Sequence, residues 1–96
     1  MKSPKKLNNL KLAFITGATK GIGRSTAITF ANAGWDLILL SRKMDLLEKL
    51  KSELLTTNSK ISLVKCDLSN PHEIEHCIKK AIEKYGCPSV LINLKN

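Results

Sequence analysis

The stretch that decides the fold runs from residue 16 to residue 23 and reads Thr-Gly-Ala-Thr-Lys-Gly-Ile-Gly. A short apolar run, Leu12–Thr16, leads into it, and apolar residues at helical spacing follow it. Glycines at such a strand-to-helix junction let the chain turn sharply and let backbone N–H groups approach a ligand closely. The helix start then presents unpaired N–H donors and the positive end of its dipole to an anion. The stretch therefore predicts a loop that binds a diphosphate.

Two other glycine loops do not fit this spacing. A P-loop requires G-x-x-x-x-G-K-[ST], whereas Arg24 stands at the lysine position here and Ala18 at the leading glycine. The usual dinucleotide fingerprint is G-x-G-x-x-G, whereas these glycines follow G-x-x-x-G-x-G. The spacing alone is a weak signal, and its place between a buried strand and a helix makes it a strong one.

Strands and helices alternate on both sides of this loop. The apolar patterns predict strands at Leu12–Thr16, Asp36–Ser41, 61–66 and Val90–Asn93, with helices over Gly21–Asn32, around 46–54 and over Pro71–Tyr85. The first helix is expected to bury a stripe that includes Ile22. The third is expected to start at an Asn70 N-cap, with Glu73 at a capping-box spacing.

This alternation is typical of βαβ units and a parallel sheet. Right-handed crossovers place the first two helices on one face and the third on the other. The predicted fold class is α/β, a partial Rossmann-type doubly wound parallel sheet with strand order 3-2-1-4, truncated after strand four. Such sheets bind ligands at the topological switch point, which falls between strands one and four.

Composition and charge narrow the function classes. The chain has 96 residues and a formal net charge of +8, and residues 1–10 form a basic leader before a single domain at 11–96. The other basic residues are scattered, and no aromatic residues interleave them as a stacking platform for nucleic acid requires. No apolar run approaches the roughly 18 residues that span a bilayer. We therefore expect neither a nucleic-acid nor a membrane partner.

The cysteines predict no metal site and no disulfide framework. Cys66, Cys77 and Cys87 are odd in number and form no C-x-x-C motif, and His76 beside Cys77 is the one nearby histidine at a zinc-like spacing. Small buried or half-buried thiols are the expected state. With no signal peptide pattern after the leader, the sequence indicates a cytoplasmic protein.

From residue 16 to Asn93 the sequence resembles the short-chain dehydrogenase/reductase family without gaps. The resemblance implies that N–H groups around Gly21 hold a pyrophosphate and that Asp67 accepts a hydrogen bond from the adenine amino group. It also matches Val90–Asn93 to the lead-in of the family's Asn-Asn-Ala-Gly motif. The cofactor-binding residues expected on these grounds are Gly17, Thr19, Lys20, Gly21, Ile22, Gly23, Ser41, Arg42, Lys43, Asp67, Leu68 and Asn93.

The end of strand two predicts which nucleotide is bound. NAD-binding sheets carry an acidic residue there, about 20 residues past the glycines, to bind the adenosine ribose. Here the residue is Ser41, followed by Arg42 and Lys43. A carboxylate would repel a 2′-phosphate, whereas the planar guanidinium fork suits one. Lys20 matches a second basic position of NADP-preferring family members, so the sequence favours NADP(H) over NAD(H).

The family's catalytic Ser and Tyr-x-x-x-Lys pair are absent from the sequence. The one tyrosine, Tyr85, has Ser89 four residues later, and Leu94 follows Asn93 where the family has Asn-Ala-Gly. We therefore expect no catalytic residues here, and an N-terminal NADP(H)-binding portion of an oxidoreductase that is inactive by itself. The alternative is a stand-alone nucleotide-binding module without catalysis. Strand four, lacking its outer neighbour, is expected to offer an edge for self-association.

Overall fold

Residues 11–94 are described in the computed structural model, and they form a parallel sheet with helices on both faces. The elements in chain order are β1 (Leu12–Thr16), α1 (Gly21–Asn32), β2 (Asp36–Ser41), α2 (Met44–Glu53), β3 (Ile61–Lys65), α3 (Pro71–Tyr85) and β4 (Val90–Asn93). The spatial strand order is β3-β2-β1-β4. The predicted order 3-2-1-4 is confirmed. The basic leader at residues 1–10 lies outside the described residues.

The first strand lies inside the sheet. It pairs in parallel with β2 on one side, where Ala13 lies beside Leu37, and with β4 on the other, where Ala13 lies beside Val90. All five residues of β1 are buried. A strand covered on both faces and both edges needs continuous apolar sequence rather than alternation, which explains the run Leu-Ala-Phe-Ile.

Two apolar cores lie on opposite faces of this sheet. Alternate strand residues such as Ile15 and Leu39 pack against α1 and α2, while their neighbours, such as Phe14 and Leu40, pack against α3. The predicted distribution of helices is thus confirmed. Burial of apolar surface at about 25 cal/mol per Å² is the main stabilising term for both cores.

The edge strand β4 is less well covered than the others. Leu91 lies beside Phe14 in the register, and so faces the side that α3 covers. Its side chain is nonetheless 48% exposed, because the apolar cluster under α3 contains residues of β1, β2 and β3 but none of β4. Within residues 11–94, β4 pairs with β1 alone.

Three local expectations need correction. Ile22 is 73% exposed, so the buried face of α1 is made by small residues, Ala27 and Ala31, that let the helix lie close to the sheet. Strand β3 ends at Lys65, one residue before the expected Cys66. The capping box at α3 is wrong: Asn70 does cap the His72 and Glu73 N–H groups, but the Glu73 carboxylate accepts a hydrogen bond from the Asp67 N–H instead.

Membrane insertion by a helix finds no support in the described part of the chain. None of its helices is long and apolar enough to cross a bilayer.

Candidate functional site

A cleft of about 640 Å³ opens where the strands end, at the switch point between β1 and β4. It brings together seven of the twelve predicted cofactor-binding residues, namely Lys20, Ser41, Arg42, Lys43, Asp67, Leu68 and Asn93. Leu94 and Ile74 complete much of its apolar lining. Of the glycine loop, only Lys20 lines this cleft, and the other five predicted residues belong to the loop and the first turn of α1 next to it.

Three glycines shape the loop for different physical reasons. Gly17 and Gly21 have φ angles of +69° and +63°, in the left-handed region that residues with side chains rarely adopt. A Cβ on Gly21 would meet no atom within 4 Å, so the space in front of it is open. A Cβ on Gly23 would lie 2.0 Å from the Gly17 carbonyl oxygen. Gly23 therefore serves the contact between α1 and the loop, whereas Gly21 borders free space.

Thr19 is buried in the middle of this loop, with 8% of its surface exposed. Its hydroxyl Oγ1 makes no hydrogen bond. Among residues 11–94 it is the one buried side-chain polar atom without a hydrogen-bond partner. A buried polar group without a partner costs roughly 1–3 kcal/mol. The loop thus holds an unused donor and acceptor next to the start of α1.

The cleft is positive at the end of β2. Ser41 is nearly buried, and its Oγ accepts the Lys43 N–H at 3.1 Å, which fixes the turn out of the strand. Arg42 and Lys43 are exposed at this turn, and Lys20 faces them from the glycine loop. Asp67 is the one acidic residue in the lining, so three cations share the cleft with a single carboxylate.

Asp67 is held in place by its own surroundings. Its Oδ1 accepts hydrogen bonds from the Ser69 N–H at 3.0 Å and the Ser69 hydroxyl at 2.7 Å. These bonds, with a smaller contribution from the Arg42 charge, lower the pKa of Asp67, so the side chain is ionised at neutral pH. The Glu73 carboxylate holds the Asp67 N–H at 3.1 Å. Glu73 was not predicted to shape the site.

Thr16 also shapes the site without having been predicted to do so. Its buried hydroxyl donates to the Asn93 Oδ1 at 2.8 Å and accepts the Leu94 N–H at 2.9 Å. These two bonds tie the end of β4 to the end of β1 at the floor of the cleft. A signal was present, because Thr16 is the one polar residue in an otherwise apolar strand.

Known proteins are similar to this chain in sequence and in fold. The family model described as short chain dehydrogenase matches residues 11–94. The oxidoreductase UcpA of Escherichia coli K12 is 41% identical over 83 residues, which cover 86% of this chain and 31% of UcpA.

Solved structures agree. An alcohol dehydrogenase from the archaeon Thermococcus sibiricus, complexed with 5-hydroxy-NADP, is similar with a TM-score of 0.78 and 35% identity, over 84% of this chain and 35% of that one. L-sorbose reductase from Gluconobacter frateurii, complexed with NADPH and L-sorbose, gives a TM-score of 0.80 and 26% identity, over 90% of this chain and 33% of that one. The chain spans about a third of the length of these relatives. It belongs to the short chain dehydrogenase family.

Proposed function

We propose that this chain binds NADP(H), as the N-terminal cofactor-binding portion of an oxidoreductase that acts on carbonyl or alcohol substrates. The observation that carries the proposal is the positive charge after β2: Ser41 stands where NAD-binding sheets carry an acid, and the cations Arg42 and Lys43 follow it in the cleft lining. Two of the solved relatives are complexes with NADPH or a modified NADP. When bound, the cofactor would give or take the hydride.

The 2′-phosphate would lie between Arg42 and Lys20. Both side chains line the cleft from neighbouring loops, and the Ser41 hydroxyl beneath them adds no negative charge. A guanidinium binds phosphate through two parallel hydrogen bonds, and an added lysine increases the positive potential. The ionised Asp67 carboxylate, which lines the same cleft, would accept a hydrogen bond from the adenine amino group. Leu68 would lie against the adenine ring.

The pyrophosphate would lie over the first turn of α1. The open space before Gly21 leaves room for it, and the N–H groups of Gly21, Ile22 and Gly23 are free of intrahelical partners there. The unpartnered Thr19 hydroxyl is the kind of group that a phosphate oxygen would satisfy. The residues present therefore fit a dinucleotide.

Replacing Arg42 by alanine should weaken NADPH binding by about 10- to 150-fold. The reason is the loss of a charge-assisted hydrogen bond of about 1.5–3 kcal/mol. NADH, which has no 2′-phosphate, should bind the variant as well as it binds the unmodified chain. Titration by nicotinamide fluorescence measures both affinities.

Lys49→Ala is the matched control for Arg42→Ala, because Lys49 is an exposed cation on α2 outside the cleft lining. Its removal should leave both affinities within about twofold, since exposed distant charges are screened. Equal affinity of the unmodified chain for NADPH and NADH would contradict the proposed phosphate site.

The 96-residue chain should not turn over aldehydes, ketones or alcohols with NADPH or NADP⁺. Tyr85, its one tyrosine, is half-buried against the core under α3 and has no lysine four residues later. Within residues 11–94, therefore, no tyrosine lies at the cleft to protonate a carbonyl oxygen. Absorbance of the reduced nicotinamide follows the reaction in the sample used for the binding titration. Sustained turnover by the pure chain would refute this expectation.

A further inference from the structure

Two thiols and a carboxylate meet beneath the Asp67 loop. The sulfurs of Cys66 and Cys77 and a carboxylate oxygen of Glu73 lie within 4.8 Å of one another. Cys66 directly follows β3, while Glu73 and Cys77 lie one helical turn apart on α3 and so share a face. The two cysteines lie eleven positions apart in the sequence, which is why no sequence motif indicated the cluster.

The cluster is ordered by the backbone around it. The Cys66 Sγ donates to the Glu73 carbonyl at 3.9 Å, and the Cys77 Sγ donates to the Lys65 carbonyl at 3.7 Å. Both cysteines are free thiols. Cys66 is fully buried, Cys77 retains 9% exposure and Glu73 is partly exposed.

We propose that Cys66, Cys77 and Glu73 form a binding site for a thiophilic divalent cation of the Zn²⁺ or Cd²⁺ type. The inference is independent of the nucleotide proposal, because none of the three side chains lines the cleft.

The ligand set and the spacing both suit such an ion. Zinc binds thiolate sulfur at about 2.3 Å in tetrahedral geometry, which places two sulfurs about 3.8 Å apart, inside the observed limit. Thiolates select borderline-soft ions over Mg²⁺ and Ca²⁺. Three protein ligands leave the fourth position to water.

Ion binding exchanges protons for metal. Each bound ion forms two metal–sulfur bonds and releases two thiol protons to the solvent, with no change of oxidation state. The Glu73 carboxylate supplies a third negative charge and keeps the Asp67 N–H on its Oε2.

An occupied site would join the end of β3 to α3. Because the ion binds the folded chain and the ligands are separated in the unfolded one, its binding raises the free energy of unfolding by mass action. An ion bound to Glu73 would also restrict the motion of the Asp67 backbone, because the Asp67 N–H donates to this carboxylate and Asp67 lines the cleft.

Cadmium titration of the fully reduced chain tests the site. Binding should be one to one, should produce the ultraviolet charge-transfer absorbance of a cadmium–thiolate bond and should raise the melting temperature. Cys66→Ala and Cys77→Ala should each weaken binding at least tenfold, and Glu73→Gln should weaken it to a smaller extent.

Two controls separate this cluster from other donors. Cys87→Ser removes the exposed cysteine and should leave the titration unchanged. The double variant His72→Ala/His76→Ala removes an exposed histidine pair one turn apart on α3, itself a potential ligand pair, and should also leave it unchanged. Binding that is lost with Cys87 or with the histidines, or that shows no charge-transfer absorbance, would overturn the proposal.

A measurement on the unmodified chain tests the site even if the Cys66→Ala and Cys77→Ala variants fail to fold. Cadmium should slow alkylation of Cys66 and Cys77 by a maleimide while Cys87 reacts at its usual rate, as read by mass spectrometry of the peptides. Equal protection of all three cysteines, or of none, would reject the site.

Discussion

Replacing Gly21 by valine is expected to abolish NADPH binding while the chain keeps most of its helical content. At a φ of +63° a β-branched residue is strongly disfavoured, which should cost about 1–3 kcal/mol of stability. A Cβ at this position has open space around it, so the strain comes from the backbone angle. The valine side chain would fill the space proposed for the pyrophosphate. Fluorescence titration and circular dichroism on the same sample measure both effects.

Gly34→Val separates backbone strain from loss of the ligand space. Gly34 also has a positive φ, +88°, with nothing within 4 Å of its Cβ, and it lies in the turn after α1 rather than at the cleft. The Gly34→Val variant should lose a similar amount of folding free energy, yet it should bind NADPH as tightly as the unmodified chain does. Retained binding by Gly21→Val, or an equal loss in Gly34→Val, would place the dinucleotide elsewhere.

Gly23→Ala should destabilise the fold itself, although it adds only one methyl group. The added Cβ would lie 2.0 Å from the Gly17 oxygen and 2.8 Å from the Gly17 carbonyl carbon, both of them backbone atoms that cannot rotate away. The start of α1 must then move off the loop, which we expect to cost about 3 kcal/mol of stability, the upper end of the usual range for overpacking. Urea denaturation followed by circular dichroism gives the loss.

The control for Gly23→Ala is Thr29→Ala, on an exposed position of the same helix. It should change the free energy of unfolding by less than about 0.5 kcal/mol. An unchanged urea midpoint for Gly23→Ala would show that the loop and helix do not touch as described. Nucleotide binding should fall in step with folding in this variant, unlike in Gly21→Val.

The sequence predicted the architecture because each of its signals was local. The apolar runs of β1 and β2 and the Asn70–Pro71 start of α3 mark element boundaries within a few residues. Right-handed crossover then left one strand order, which the structure confirms. Seven predicted site residues lie together because parallel strands end at one edge of the sheet.

What the sequence did not predict depends on contacts between distant residues. The bonds from Thr16 to Asn93 and from Asp67 to Glu73 follow from how strand ends meet a loop or a helix. The exposure of Ile22 depends on how close α1 lies to the sheet, which the small residues of the helix determine. The NADP(H) preference, the cytoplasmic location and self-association through β4 stay predictions.

The central place of β1 has a consequence for the order of folding. Of the four described strands it is synthesised first, yet its partner β2 comes 24 positions later and β4 comes 77 positions later, as the pairs Leu12–Asp36 and Thr16–Asn93 show. Contacts so distant in sequence slow folding, because a long loop must close before they contribute. During synthesis one edge of β1 therefore stays unpaired until nearly all of these residues have left the ribosome. We expect the closure of β4 onto β1 to be the late step, and chaperones that recognise apolar strands to act before it.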